Sequence, residues 1–114
     1  MTDSAFSVLT SLVGQPLHGY GIMQAVAALS EGRVRLPVAT VYAVLDRLTG
    51  AGLVEIDREE VCDGRLRRYY RVTDDGARTL LVEAERLAAN ARLATERVRV
   101  WSLRPSLNGE TAWG

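Results

Sequence analysis

Residues 53–73 read LVEIDREEVCDGRLRRYYRVT, and within them the spacing of apolar residues changes from helical to two. Val54 and Ile56 precede the turn sequence Cys62-Asp63-Gly64, and Tyr70 and Val72 follow it. Alternation on both sides of a glycine-bearing turn predicts a β-hairpin. A two-residue loop at Asp63-Gly64 would set Ile56 opposite Arg71 and put charge on the core face. A three-residue loop, Cys62 to Gly64, sets Ile56 opposite Tyr70 and Val54 opposite Val72. A slip of one residue turns every side chain to the other face, so the second register is preferred.

That register sorts the arginines. It pairs Glu59 with Arg67 and Glu55 with Arg71 as cross-strand salt bridges. It also sets Arg58 across from Arg68, an unfavourable like-charge pair that an external anion would relieve. Arg65, beside the turn, has no acidic partner. Residues 65–71 hold four arginines, two tyrosines and no acid, a local charge of +4.

Upstream, three helices are expected. Asp3 and Ser4 can cap a first, of about ten residues, whose apolar residues Phe6, Leu9, Leu12 and Val13 keep helical spacing until Gly14 and Pro16. Ile22, Val26 and Leu29 mark a second helix over 18–30, with Gly32 past its end. Residues 33–36 alternate and suit a short strand. Pro37 pre-sets φ for a third helix, in which Val41, Leu45 and Leu48 form the buried stripe and Thr40, Tyr42, Ala43, Asp46 and Arg47 lie off it. Downstream, helical spacing returns from Thr73 or Asp74 to about Trp101. Counted in heptads it puts Ala77, Ala84, Ala91 and Val98 at a, with Leu80, Leu87, Ala94 and Trp101 at d. Such a helix exceeds what one small domain requires, which predicts a seam between two chains, joined by the first helix because alanine buries little. The competing reading folds it back on its own domain. The expected organisation is a winged-helix domain over 1–73, a dimerisation helix over 74–102 closed by Pro105, Asn108 and Gly109, and a flexible tail over 103–114.

Composition narrows the function. The chain has 114 residues, enough for one core and too few to enclose a deep catalytic cavity. One cysteine, Cys62, excludes an intrachain disulfide. No basic-then-apolar leader and no long apolar run are present, so a cytoplasmic protein without a membrane span is expected. Fourteen basic and fourteen acidic residues cancel, so anion recognition must come from local clustering. All fourteen basic residues are arginine, which suits phosphate and guanine but equally reflects codon bias. No carboxylate pair, glycine-rich phosphate loop or metal-ligand spacing suggests an enzyme, and no cofactor is implied.

Three helices followed by a hairpin is the order of a winged helix-turn-helix, a mainly α fold with a small β-hairpin (α+β). Pro16-Leu17-His18-Gly19-Tyr20, then Thr40-Val41-Tyr42 with Leu45, Arg47-Leu48 and Gly52-Leu53-Val54, then residues 63–73 and Gly76, resemble the PadR family of bacterial transcriptional regulators. The resemblance covers about residues 5–80. It implies a dimeric regulator, usually a repressor, that binds double-stranded DNA at a palindromic operator and is released by a small effector. The length and the single heptad-bearing helix resemble the short subfamily with one C-terminal dimerisation helix. The family's Ser-Pro-Gly before the third helix is replaced by Pro37-Val38-Ala39, and the proline after its tyrosine by Ala43. Losing the serine removes a side-chain acceptor from that helix start.

Individual residues carry two readings each. Thr40, Tyr42 and Arg47 contact bases or phosphates, or form a solvated helix surface with Tyr42 on the hairpin. Arg58, Arg65, Arg67 and Arg68 grip the DNA backbone, with a hydroxyl from Tyr69, or form salt bridges; Tyr70 is core. Three arginines per protomer would give a log-affinity slope against log salt of roughly −5. Leu80, Leu87, Ala91, Ala94, Val98 and Trp101 form the dimer interface. Trp101 is ordinary interface packing or a contact for a flat aromatic effector, as the resemblance implies for some short members; Trp113 carries no argument. His18 reads as structural, and Cys62 as an incidental thiol or a thiol sensor at the wing tip. A second function class stays open: a winged-helix protein-interaction module that does not read DNA, which the zero net charge and the altered helix start favour slightly.

Overall fold

The computed structural model describes residues 1–105, ordered as α1 (Asp3–Leu12), β1 (Leu17–His18), α2 (Gly19–Leu29), α3 (Val38–Gly50), β2 (Val54–Cys62), β3 (Arg65–Val72) and α4 (Asp74–Ser102). Met1–Glu83 forms one compact unit, and the chain from Ala84 onward a second. Of the tail expected over 103–114, residues 106–114, with Asn108, Gly109 and Trp113, lie outside the described residues.

The first unit is built on the expected apolar stripes. Val8, Leu9 and Leu12 of α1, Ile22 and Val26 of α2, and Val41, Val44, Leu45 and Leu48 of α3 share one core with Val54 and Tyr70. Leu29, the last residue of α2, departs from its stripe and is 64% exposed. The cap of α1 is Thr2, whose hydroxyl accepts from the Ala5 N–H at 3.1 Å, one position before the expected Asp3 and Ser4. Pro37 precedes α3 without a side-chain cap, as the substituted serine implies.

Two expectations about strands are corrected. Residues 33–36 form no strand; the Ser30 side chain holds them instead, its Oγ accepting from the Val34 N–H at 2.9 Å. A third strand lies elsewhere: β1 pairs antiparallel with β3, Leu17 opposite Tyr70 and His18 opposite Tyr69, giving the sheet order β1-β3-β2.

The hairpin combines the two registers that the sequence sets against each other. Val54 faces Val72, Glu55 faces Arg71 and Ile56 faces Tyr70, as preferred. Beyond an irregularity between Ile56 and Arg58 the pairing slips by one, so that Arg58 faces Tyr69, Glu59 faces Arg68 and Cys62 faces Arg65. The loop is therefore the two residues Asp63 and Gly64, at φ 53° and 76°, the left-handed pair that a tight primed turn needs. Asp57 is the extra residue of a bulge, which reconciles a two-residue turn with the core register. The expected Arg58–Arg68 opposition and Glu59–Arg67 pair do not form. Ile56, expected in the core, is 44% exposed, since the sheet's buried patch stops at Val54 and Tyr70.

Thr73 closes the unit. Its N–H donates to Leu53 O at 3.1 Å, its hydroxyl donates to Gly52 O at 2.7 Å, and the same oxygen accepts from the Gly76 N–H at 3.0 Å at the start of α4. Leu80 packs partly buried against this core.

Candidate nucleic-acid interface

The wing's surface is decided by which arginines its own carboxylates satisfy. Arg58 pairs with Asp57 at 3.1 Å and Glu60 at 2.8 Å, and its guanidinium lies 4.0 Å above the Tyr69 ring. Arg68 pairs with Glu59 at 3.2 Å, and Arg71 with Glu55 at 2.8 Å and Asp57 at 3.3 Å. These hydrogen bonds raise Arg58 (foremost through Glu60) and Arg71 (foremost through Glu55), while Arg58 lowers Glu60. Arg65 and Arg67 form no ion pair among the described residues. Arg67 is raised, foremost by its hydrogen bond with Tyr69.

Beside these two cations opens a cleft of about 590 Å³, lined by His18, Tyr20, Tyr42, Cys62, Asp63, Arg65, Leu66, Arg67 and Arg68. Three elements converge on it: the start of α2, the first turns of α3 and the wing tip. Of the residues singled out from sequence, it gathers Tyr42, Arg65, Arg67 and Arg68. Thr40 is half-buried at the start of α3, and exposed Arg47 has no ion pair among the described residues; neither lines the cleft. Arg58 and Tyr69 stand behind it as a stacked pair.

Sequence reasoning missed Tyr20, which is exposed and brings a hydroxyl, and the role of Gly19, whereas its reading of His18 as structural holds. His18 is structural: its Nδ1 accepts from the Gly21 N–H at 3.1 Å and caps α2, and its ring meets the Tyr69 ring edge-on with centroids 5.4 Å apart. Burial first, and then Arg67, hold its pKa below the ordinary value, so His18 is neutral near pH 7. Gly19 is buried directly under Tyr42. Cys62 is a half-buried free thiol in the cleft wall. Among the described residues no group of three His, Cys, Asp or Glu side chains could hold a metal ion, and no helix is long and apolar enough to cross a membrane.

In the second unit the helix carries the expected seam residues Leu87, Ala91, Ala94 and Val98 as exposed positions and Trp101 as half-buried. Arg104 lies 3.6 Å over the Trp101 ring and donates to its backbone oxygen. Leu93 and Val100, both more than 60% exposed, lie on a different side from the a and d positions, and the heptad reading did not include them.

The model of the transcriptional regulator PadR-like family matches residues 8–81. An uncharacterized protein of Lysinibacillus sphaericus is 32% identical over 69 residues, 60% of this chain and 63% of that protein, so the chain matches less than two thirds of that relative's length. The fold is similar to that of a PadR family transcription regulator from Clostridium difficile, with a TM-score of 0.71 at 17% identity over 85% of this chain and 99% of the other. It is also similar to Bacillus subtilis PadR, solved in complex with operator DNA, with a TM-score of 0.63 at 19% identity over 100% of this chain and 54% of the other. At such identities the structural likeness is one of fold, whereas the family match extends over more than half of the sequence. The chain therefore belongs to the PadR-like family of transcriptional regulators, a family of regulators and not of enzymes.

Proposed function

We propose that the protein is a sequence-specific DNA-binding repressor that acts in the cytoplasm as a homodimer on a palindromic operator and is released by a small effector. The observation that carries this reading is the convergence of Tyr42 of α3 with Arg65 and Arg67 of the wing on one cleft, neither cation being held in an ion pair among the described residues. A winged helix binds DNA by placing its third helix in the major groove and its wing along the backbone, which requires such a juxtaposition. Thr40, Tyr42 and Arg47 then meet bases and nearby phosphates. Arg65, Arg67 and Arg68 grip the flanking backbone, and Arg58 steadies Tyr69 beneath them. Zero net charge does not oppose this, since residues 65–71 of the wing hold four arginines and no acid.

Dimerisation is assigned to the α4 seam of Leu87, Ala91, Ala94, Val98 and Trp101. Leu80, expected on that seam, already packs on the core of its own unit. A flat aromatic effector would stack on Trp101 in place of the Arg104 guanidinium. Its binding would alter the spacing of two recognition helices that must sit about 34 Å apart to occupy successive major grooves.

The test is fluorescence anisotropy with the DNA upstream of the protein's own coding sequence, from about 50 to 200 mM salt, against scrambled competitor, followed by genome-wide selection if that fragment fails. Competitor-resistant, salt-sensitive binding supports the reading. No selected sequence above background would overturn it in favour of a winged-helix protein-interaction module.

A further inference from the structure

We propose that Gly19 is a positioning residue for DNA recognition: the bare backbone at the start of α2 is the seat that sets the posture of the Tyr42 ring on α3. This inference rests on the reading of the cleft as a DNA interface. A Cβ added at Gly19 would stand 2.6 Å from Cζ, 2.7 Å from Oη and 2.8 Å from Cε1 of Tyr42. No side chain fits between them while the ring keeps its place. The contact is made by the far end of the tyrosine, which fixes where the hydroxyl points.

The surroundings of the seat are rigid. Gly19 is the first residue of α2, immediately after the His18 cap, and His18 is bound to the sheet through Tyr69, its cross-strand partner. Tyr69 in turn carries Arg58 on its face and lies two residues from Arg67 on the same strand. Tyr42 is thereby referenced to the same frame as the wing arginines. Its ring is still about half exposed, so it is held from below and presented from above. A side chain whose orientation is set before binding loses less entropy on contact.

Gly19→Ala separates positioning from folding. Gly19 does not have a positive φ, and alanine is a better helix former than glycine, so the fold accepts the methyl and the Tyr42 ring is what must move. The expected result is an unchanged or slightly raised Tm with operator affinity reduced about tenfold, the scale of one hydrogen bond to a charged group. Within a double-mutant cycle, Gly19→Ala should add nothing further in a Tyr42→Ala background. Wild-type affinity in Gly19→Ala, or an equal loss in the Tyr42→Ala background, would overturn the proposal. A DNA-independent arm keeps it apart from the functional reading: nuclear Overhauser contacts between the Tyr42 ring and the Gly19 Hα protons, lost in Gly19→Ala, support the seat even for a protein that selects no DNA. Their absence in the wild type would overturn it.

Discussion

Asp57 holds Arg71 of the facing strand through one carboxylate oxygen, Oδ1 to Nη1 at 3.3 Å, and its own neighbour Arg58 through the other, Oδ2 to Nη1 at 3.1 Å. It is the bulged residue, where β2 gains one position over β3. A bulge disrupts the ladder locally, and here the displaced side chain bridges the gap. The clamp also decides charge: with Glu55 and Glu60 it leaves Arg58 and Arg71 matched, so the wing's unmatched cations lie toward its tip at Arg65 and Arg67.

Asp57→Ala tests that clamp. Its arginine partners are half exposed and such pairs stabilise by less than about 1 kcal/mol, so Tm should fall by only about 5 °C. The change should appear instead in the wing, as faster amide hydrogen exchange over β2 and β3 than over α1 and α3. Uniform exchange rates would mean that the ladder alone holds the bulge.

Gly76→Ala should be far more damaging. A Cβ there would collide with the Leu53 backbone carbonyl and sit 2.8 Å from Val72 Cγ2, and backbone cannot step aside as the Tyr42 ring can. Overpacking of this kind costs about 2–3 kcal/mol, so Tm should fall by about 10 °C or more in a domain of this size. Thr73→Ala, which removes the hydroxyl that caps α4 and ties it to Gly52, should cost about 1 kcal/mol. Thermal unfolding by circular dichroism measures both, and equal small shifts would deny the close packing of α4 on the turn after α3.

The pH dependence follows from His18. Its folded pKa lies below the ordinary value of 6.5, because burial and Arg67 disfavour the imidazolium and Nδ1 must stay unprotonated to accept from Gly21. Neutral His18 therefore contributes stability fully present above pH 6.5, and this is lost as pH falls through the lower folded value. Tm should decline on acidification below pH 6.5 in the wild type. His18→Asn, which keeps a capping oxygen without titrating, should remove that part of the decline. An identical pH profile in the variant would show that the cap does not titrate.

Much of this architecture was legible because apolar spacing reports it directly. Val41, Leu45 and Leu48 fixed the buried side of α3, and Cys62-Asp63-Gly64 marked where the hairpin turns, though not the length of its loop. The bulge was hidden because the core pairs Val54–Val72 and Ile56–Tyr70 fit a regular hairpin only with a three-residue loop, so the two-residue turn was set aside, and only the extra residue Asp57 reconciles it with that register. At two residues, Leu17 and His18 are too few to show a period, so β1 left no signal. The seat under Tyr42 joins positions distant in sequence, and nothing in the spacing of either helix predicts it. Arg104 reaches the Trp101 ring from the bend just beyond the end of α4, where helical spacing no longer says which side chains meet.

Oligomerisation distinguishes the two exposed apolar sides of α4. If the seam runs through Leu87, Ala91, Ala94 and Val98, Leu87→Glu should give a monomer in sedimentation velocity, whereas Leu93→Glu should remain dimeric. On the proposed palindromic operator, bound through two linked half-sites, the monomer should also lose affinity by about two orders of magnitude. The reverse result would move the interface to the side bearing Leu93 and Val100.

Salt dependence separates matched from unmatched arginines. Each phosphate neutralised contributes about −0.9 to the slope of log affinity against log salt, so Arg65 and Arg67 in both protomers give about −3.6, and adding Arg68 gives about −5.4. Arg68 must leave Glu59 to reach a phosphate, so its carboxylate partner remains to repel the DNA. Arg65→Ala and Arg67→Ala should therefore each flatten the slope by about 1.8 per dimer, and Arg68→Ala by less. Glu59→Gln should act in the opposite direction, freeing Arg68 and steepening the slope toward the larger value. Equal slopes in all four variants would place the phosphate contacts outside the wing, and an unchanged slope in Glu59→Gln alone would mean that Arg68 already exchanges its carboxylate for phosphate without loss.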